Sequence, residues 1–221
     1  DIHIGRWVDD DYLIESLQEA GFLNPDFVVY TGDFVSYDDQ SYSQIDKIMP
    51  FGPKGKLATV ASLGNHDYGH RWKQLEVADT IAQSLEDKGI RVLLNEVENF
   101  SGLTIGGMED FWSPRYAPRR VTSQIGKDEP AIILCHNPDG VDSRGWGDYQ
   151  GWILAGHTHG GQVKPPFLPA PILPVDNSRY EAGVYDLYDG RTLYINRGLG
   201  HLMNIRFNVR PEITMFKLTG A

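Results

Sequence analysis

Five motifs rich in metal-binding side chains follow one another along the chain: Asp1-Ile2-His3, Gly32-Asp33, Gly64-Asn65-His66-Asp67, His136 and Gly156-His157-Thr158-His159. Carboxylate, carboxamide and imidazole donors without a thiolate suit hard to borderline divalent cations such as Mn, Fe, Zn or Mg. Two histidines at i and i+2 in extended backbone point to opposite faces, so His157 and His159 can serve two neighbouring ions, one each. A carboxylate at a strand end, such as Asp33, can bridge both. Glycines beside the donors let backbone approach closely without a side-chain clash.

These donors sit where short apolar runs stop. Phe27–Tyr30 reads as a buried strand running into Thr31-Gly32-Asp33, and Leu57–Leu63 as another running into Gly64-Asn65-His66-Asp67. Ala131–Leu134 leads into Cys135-His136-Asn137, and Gly151–Ala155 into Gly156-His157. Four buried strands thus deliver polar groups at their C-terminal ends, where α/β sheets place ligand sites. Helical periodicity fills the intervals. Asp9–Ala20 carries Leu13, Leu17 and Ala20 on one side with Gly21 as the expected C-terminal cap, and the triplet Asp9-Asp10-Asp11 suits a helix start. Trp72–Lys88 carries Leu75, Ala78, Ile81, Ala82 and Leu85, with Gly89 after its end. Towards the C-terminus, Gly183–Tyr188 and Arg191–Asn196 predict a hairpin whose Asp189-Gly190 supplies positive φ, and Glu212–Leu218 predicts a final strand. Lys164–Val175 holds five prolines among Phe, Leu and Ile, which predicts an irregular surface loop hanging over the site.

The chain has 221 residues, enough for one globular domain with a sizeable core. Its net charge of −10 argues against general affinity for nucleic acid, which depends on Lys and Arg neutralising phosphates. A small phosphorylated substrate is compatible with that charge, because bound cations add positive charge that the count omits. The one cysteine, Cys135, permits no intrachain disulfide and sits in an apolar run as an inert core thiol. No apolar run is long enough to span a membrane.

Taken together, the motifs resemble the calcineurin-like metallophosphoesterase superfamily over nearly the whole chain. Gly156–Gln162, the Pro-rich loop, and Asn196-Arg197-Gly198-Leu199-Gly200 through Arg206-Phe207 to Arg210-Pro211-Glu212-Ile213 resemble a YkuE-like bacterial branch. That branch includes exported phosphodiesterases and UDP-diacylglucosamine pyrophosphatases. The resemblance implies an α/β fold, a four-layer sandwich of two mixed β-sheets flanked by helices, over residues 1–221. It also implies that Asp1, His3, Asp33 and His159 hold one metal and that Asp33, Asn65, His136 and His157 hold a second, with manganese favoured. Two such cations, about 3.5–4 Å apart, activate water for in-line attack on phosphorus. His66, next to a ligand but not itself one in the family, is the candidate general acid, and Asp67 the group that orients it. Arg197, whose planar fork matches phosphate, and His201 are candidates for substrate contact, each weighed against a purely structural role.

Two departures from the family pattern stand out. The second Asp of the usual Gly-Asp-x-x-Asp motif is Ser36 here, with Asp38 or Asp67 as substitutes. No apolar strand precedes Asp1, so the natural polypeptide is expected to extend upstream. The expected reaction is hydrolysis of a phosphodiester or pyrophosphate in a small-molecule or lipid-linked substrate. A soluble phosphodiesterase or phosphatase acting on small nucleotides or metabolites is the alternative, and a metal-binding scaffold the non-enzyme alternative. Phe167, Leu168, Ile172 and Leu173 in the 164–175 loop are expected to touch lipid tails or a membrane surface, with a packed lid or subunit interface as the competing role. Oligomeric state and compartment (cytoplasmic, membrane-associated or exported to a bacterial envelope) stay open at the level of sequence.

Overall fold

The computed structural model describes residues 1–36 and 39–219, so Asp38 lies outside the described residues. Helix α1 (Asp10–Phe22) begins where Asp9 accepts the Tyr12 amide at 3.0 Å, and Asp10 and Asp11 occupy the first turn, where the helix dipole favours negative charge. It buries Leu13, Leu17 and Ala20. The helix runs through Gly21, the expected cap, and closes at Leu23, whose amide reaches the Ala20 and Gly21 carbonyls. One exposed helical glycine costs only about 1 kcal/mol, too little to stop a helix anchored by its apolar face. Helices α2 (Asp39–Ile48) and α3 (Leu75–Glu86) follow. The latter starts later than its periodicity predicts, because Arg71 and Trp72 adopt left-handed φ of 55° and 62°.

Strands β1 (Phe27–Tyr30), β2 (Ala58–Ala61) and β3 (Arg91–Val92) pair in parallel in that order. A larger sheet comprises β4 (Glu96–Phe100), β5 (Leu103–Gly107), β6 (Ala131–Leu134), β7 (Gly151–Ala155), β8 (Gly183–Asp186) and β9 (Arg191–Ile195), in the order β4-β5-β6-β7-β9-β8. It is parallel from β5 to β9 and ends at each edge in an antiparallel pair. The mixed character expected of both sheets therefore belongs, among the described residues, to the larger one.

Strand alternation assigns the layers. On β6, Ile132 and Leu134 pack with Val60, Leu93, Ile105 and Leu154 between the sheets, whereas Ile133 and the following Cys135 pack with Met108, Val121, Trp146 and Ile153 on the outer face. That face is covered in part by helix α4 (Pro118–Thr122), which contributes Val121. On the other side, Ile4, Leu13, Leu17, Phe34, Ile45, Ile81 and Leu85 join α1–α3 to the three-stranded sheet. Helices, small sheet, large sheet and outer cover make the expected four layers.

Two local expectations are corrected. The β8–β9 turn takes its positive φ at Tyr188 (60°) and Gly190 (92°) rather than at Asp189. Glu212–Leu218 forms no strand. It crosses the sheet face instead of lying beside an edge, so side chains hold it: Tyr194 Oη bonds Glu212 and Thr214, and the Phe216 ring meets Tyr194 and Trp152. Among the described residues, no helix is long and apolar enough to cross a membrane.

Candidate metal centre

Parallel register aligns the strand ends: Tyr30 lies opposite Ala61, Leu134 opposite Leu154, and Ala155 opposite Ile195. Asp33, Asn65, His136 and His157 consequently leave their strands at one edge. The N-terminal segment docks alongside. The Ile2 and His3 amides donate to the Asp33 carbonyl at 2.8 and 3.1 Å, and Ile4 bridges Val35. The Asp1 carboxylate accepts the His157 amide at 2.9 and 3.0 Å.

Side-chain donors of Asp1, His3, Asp33 and His159 lie within 4.8 Å of one another, as do those of Asp33, His136 and His157. Asp33 belongs to both groups. Asn65 Oδ1 lies 3.2 Å from His136 Nε2, beside the second group. His157 and His159 do face different groups, but not through extended backbone. Both are left-handed, with φ of 70° and 52°, and the intervening Thr158 is right-handed helical. His3 (54°) and Asp33 (52°) are left-handed too. Such non-glycine conformations cost on the order of 1–3 kcal/mol each and gather where a site over-determines the backbone. Two glycines are needed by close approach: a Cβ on Gly64 would fall 2.3 Å from Asp33 Oδ1, and one on Gly156 2.4 Å from Asp1 Oδ2.

Protonation follows from the hydrogen bonds. His136 Nδ1 is 2.7 Å from the Thr31 carbonyl, which only accepts, so Nδ1 carries the proton. The bare Nε2 then confronts Asp33 Oδ2 at 3.3 Å and Asn65 Oδ1 at 3.2 Å, three lone-pair donors aimed at one place. Burial disfavours a charged His136, but the Asp33 charge and hydrogen bond outweigh it and raise its pKa; a cation in that place would answer the same demand. His157 Nε2 donates to the Pro174 carbonyl at 2.8 Å, leaving Nδ1 bare, and burial together with His136 pushes its pKa down to about 3. His3 and His159 face each other with Nε2 atoms 3.0 Å apart. Burial depresses both well below the ordinary value, with Arg206 adding to the effect on His159. Burial alone would raise Asp33, but His136, His66 and His3 hold it well below the carboxylate range. His3, His157 and His159, kept neutral by burial, surround an ionised, shared carboxylate, and a bound cation would take the place of the proton that Asp33 favours on His136, so the donor set fits divalent cations.

His66 is buried, its amide donates to Asp33 Oδ1 at 2.8 Å, and its ring stands edge-on to His3 at 4.8 Å. Burial lowers its pKa and Asp33 opposes that. Asp67 does something other than orient it: among the described residues Asp67 makes no hydrogen bond to His66. Its carboxylate accepts the Phe34, Val35 and Gly64 amides at 2.8, 3.2 and 2.9 Å, lacing together the loops after β1 and β2. Burial and then Asp33 push Asp67 up to about 7. Ser36 Oγ bonds the His3 carbonyl at 3.2 Å and approaches His3 Nδ1 at 3.5 Å, so it supports His3. Arg197 is engaged by Glu212, with Nε at 2.6 Å from Oε2. His201 Nε2 bonds the Trp7 carbonyl at 2.8 Å. Neither Arg197 nor His201 has its side chain in the two donor groups.

Sequence reasoning passed over three residues here. Asp110 is buried and pushed up to about 6 by that burial; its Oδ1 accepts the Trp112 amide, and its Oδ2 has no hydrogen-bond partner among the described residues. Arg206 Nη2 approaches His159 Nδ1 at 3.3 Å and donates to the Arg197 carbonyl at 2.8 Å, propping the loop whose Leu199 and Gly200 amides bind the Asp1 carbonyl. Trp112 stands edge-on to His157 at 4.8 Å. Asp110 carried no comparable signal, since Thr104, Gly106 and Gly107 interrupt the apolar stretch that precedes it. Cys135 is inert: burial raises its thiol to about 12.

The family model for calcineurin-like phosphoesterases matches residues 1–161. The chain is 31% identical to the phosphodiesterase YaeI of Escherichia coli over 99% of its own length and 79% of the relative's. It is 25% identical to the UDP-2,3-diacylglucosamine pyrophosphatase LpxG of Chlamydia trachomatis, covering 98% of this chain and 81% of that one. It is also 32% identical to the uncharacterized metallophosphoesterase YkuE of Bacillus subtilis, covering 99% and 76% respectively. No solved structure matches the chain at a significant level.

Proposed function

Since the chain belongs to the calcineurin-like phosphoesterase family, and is thus a metal-dependent hydrolase of phosphoric esters or anhydrides, we propose that it cleaves a phosphodiester or pyrophosphate at the cluster built on Asp33. The observation that carries this is the sharing of one buried, ionised carboxylate by two donor groups. Divalent cations, manganese above all, would be held by Asp1, His3, Asp33 and His159 and by Asp33, Asn65, His136 and His157, and would supply Lewis acidity and an acidified water. The protein supplies the rest. Asp33 is aimed by the His66 amide, His136 by the Thr31 carbonyl and His157 by the Pro174 carbonyl. His66 passes a proton to the leaving oxygen; the charge of an arriving phosphate favours its imidazolium and opposes the effect of burial.

A lipid-linked or nucleotide-sugar substrate is favoured over a simple metabolite. Phe167, Leu168 and Ile172 are exposed on the loop that ends at the Pro174 carbonyl, bringing apolar surface to the edge of the centre. The activity in the name of LpxG, a pyrophosphatase of a diacylated nucleotide sugar, agrees with that surface. The direct test is hydrolysis of bis-p-nitrophenyl phosphate. Activity is expected with manganese and is expected to vanish on chelation and in Asp33→Asn, while His66→Ala keeps its metal and loses roughly 10²–10⁴-fold in kcat. Equal turnover by Asp33→Asn would end the assignment.

A further inference from the structure

A wall of four aromatic rings borders the centre. The His66 ring lies 4.5 Å from Trp72, Trp72 lies 6.4 Å from Trp112 with planes 27° apart, and Trp112 meets His157 edge-on at 4.8 Å. Both histidines are buried and both indoles only half-buried, so the indoles form the solvent-facing part of the wall. Among the described residues, neither indole is part of the three apolar cores.

Their placement is enforced. Trp72 and Arg71 both have left-handed φ, which bulky residues rarely adopt. That strain persists because neighbouring bonds fix it: the Trp72 amide donates to the Gly69 carbonyl, the Gln74 amide to the Tyr68 carbonyl, and the His70 amide to Gln74 Oε1. Trp112 is pinned by Asp110, whose Oδ1 accepts its amide at 2.9 Å. Strain that lays an indole against a candidate proton donor is the pattern of a functional constraint.

We propose that Trp72 and Trp112 seat a planar aromatic ring, such as a nucleobase, carried on the leaving side of the phosphoester substrate. This rests on the phosphoesterase assignment above, because His66 fixes the leaving side to the Trp72 end of the wall. Indole faces bind flat rings by offset or edge-on stacking and tolerate any base, since every base has a π face. A sugar phosphate without a base offers the same anion but no ring to stack.

The test is competition against bis-p-nitrophenyl phosphate in manganese-loaded protein. Uridine and adenosine 5′-monophosphates should inhibit about tenfold or more tightly than ribose 5-phosphate, within the range for stacking on an aromatic side chain. Trp72→Leu and Trp112→Leu should shrink that ratio towards one and raise KM for the aryl reporter, and Trp112→Phe, which keeps a π face, should retain most of the ratio. Equal inhibition by nucleotides and ribose 5-phosphate in the unaltered protein overturns the proposal, as does an undiminished ratio in both leucine variants. Should a leucine variant fail to fold, the ratio in the unaltered protein still decides. If the reporter is not hydrolysed at all, the phosphoesterase assignment fails, and calorimetric titration of the same three ligands into metal-loaded protein decides the aromatic seat by the same ratio.

Discussion

Asp33 stays ionised despite burial because three imidazoles surround it, whereas Asp67 and Asp110, buried nearby, are pushed up to about 7 and about 6. A carboxyl whose folded pKa exceeds its unfolded value favours folding when protonated. Its contribution is full below about pH 4 and is lost as pH rises through the folded value. For Asp110, raised from 3.8 to about 6, the shift corresponds to roughly 3 kcal/mol lost by pH 8. Metal-free Asp110→Asn is therefore expected to be more stable than the parent by up to that amount at pH 8 and nearly equal to it at pH 4. Urea unfolding of both proteins at the two pH values measures the difference, and a gap independent of pH would refute the assignment. The candidate ligands were legible residue by residue, because His, Asp and Asn recurring in order beside glycine are seldom assembled for anything but binding metal. The Thr31 and Pro174 carbonyls that orient their rings were not, since every residue carries a carbonyl and its aim depends on the fold.

At the scale of elements, the site is a consequence of register: parallel strands that start together end together and present their loops at one edge. The approach is close enough that Gly64 admits no side chain. Gly64→Ala is expected to keep the helix and sheet content seen by circular dichroism while displacing Asp33 and weakening metal affinity by roughly 10–100-fold, the usual effect of disturbing what orients a ligand. Metal titration followed by calorimetry checks this; unchanged affinity would mean that Asp33 need not sit where it does. Buried strands β2, β6 and β7 could be read from their apolar runs. The β4–β5 hairpin could not, because β4 is an edge strand with the sequence Glu-Val-Glu-Asn-Phe and mixed exposure, and β5 ends in two glycines that break the apolar signal before Asp110. The supposed strand at Glu212–Leu218 shows the converse, an alternating pattern that supports packing across a sheet face without any ladder.

For the molecule as a whole, the net charge of −10 makes electrostatic attachment to anionic lipid unfavourable, so a bilayer contact would depend on apolar insertion. Phe167 and Ile172 are the side chains for it, at 105% and 75% exposure. Burial of one such side chain is worth about 1.5–3 kcal/mol. We expect the protein to co-sediment with phosphatidylethanolamine–phosphatidylglycerol vesicles, and Phe167→Ser with Ile172→Ser to weaken that binding at least tenfold without lowering turnover of bis-p-nitrophenyl phosphate. Vesicle binding indifferent to both substitutions would remove the membrane role.

Because the Pro174 carbonyl closes that same loop onto His157 at 2.8 Å, lifting residues 164–175 would take away the acceptor that keeps one imidazole in its working tautomer. Gate and grip would thereby be coupled: a bulky guest that pried the loop open would loosen the hold on a bound ion, and a firmly held ion would keep the loop shut.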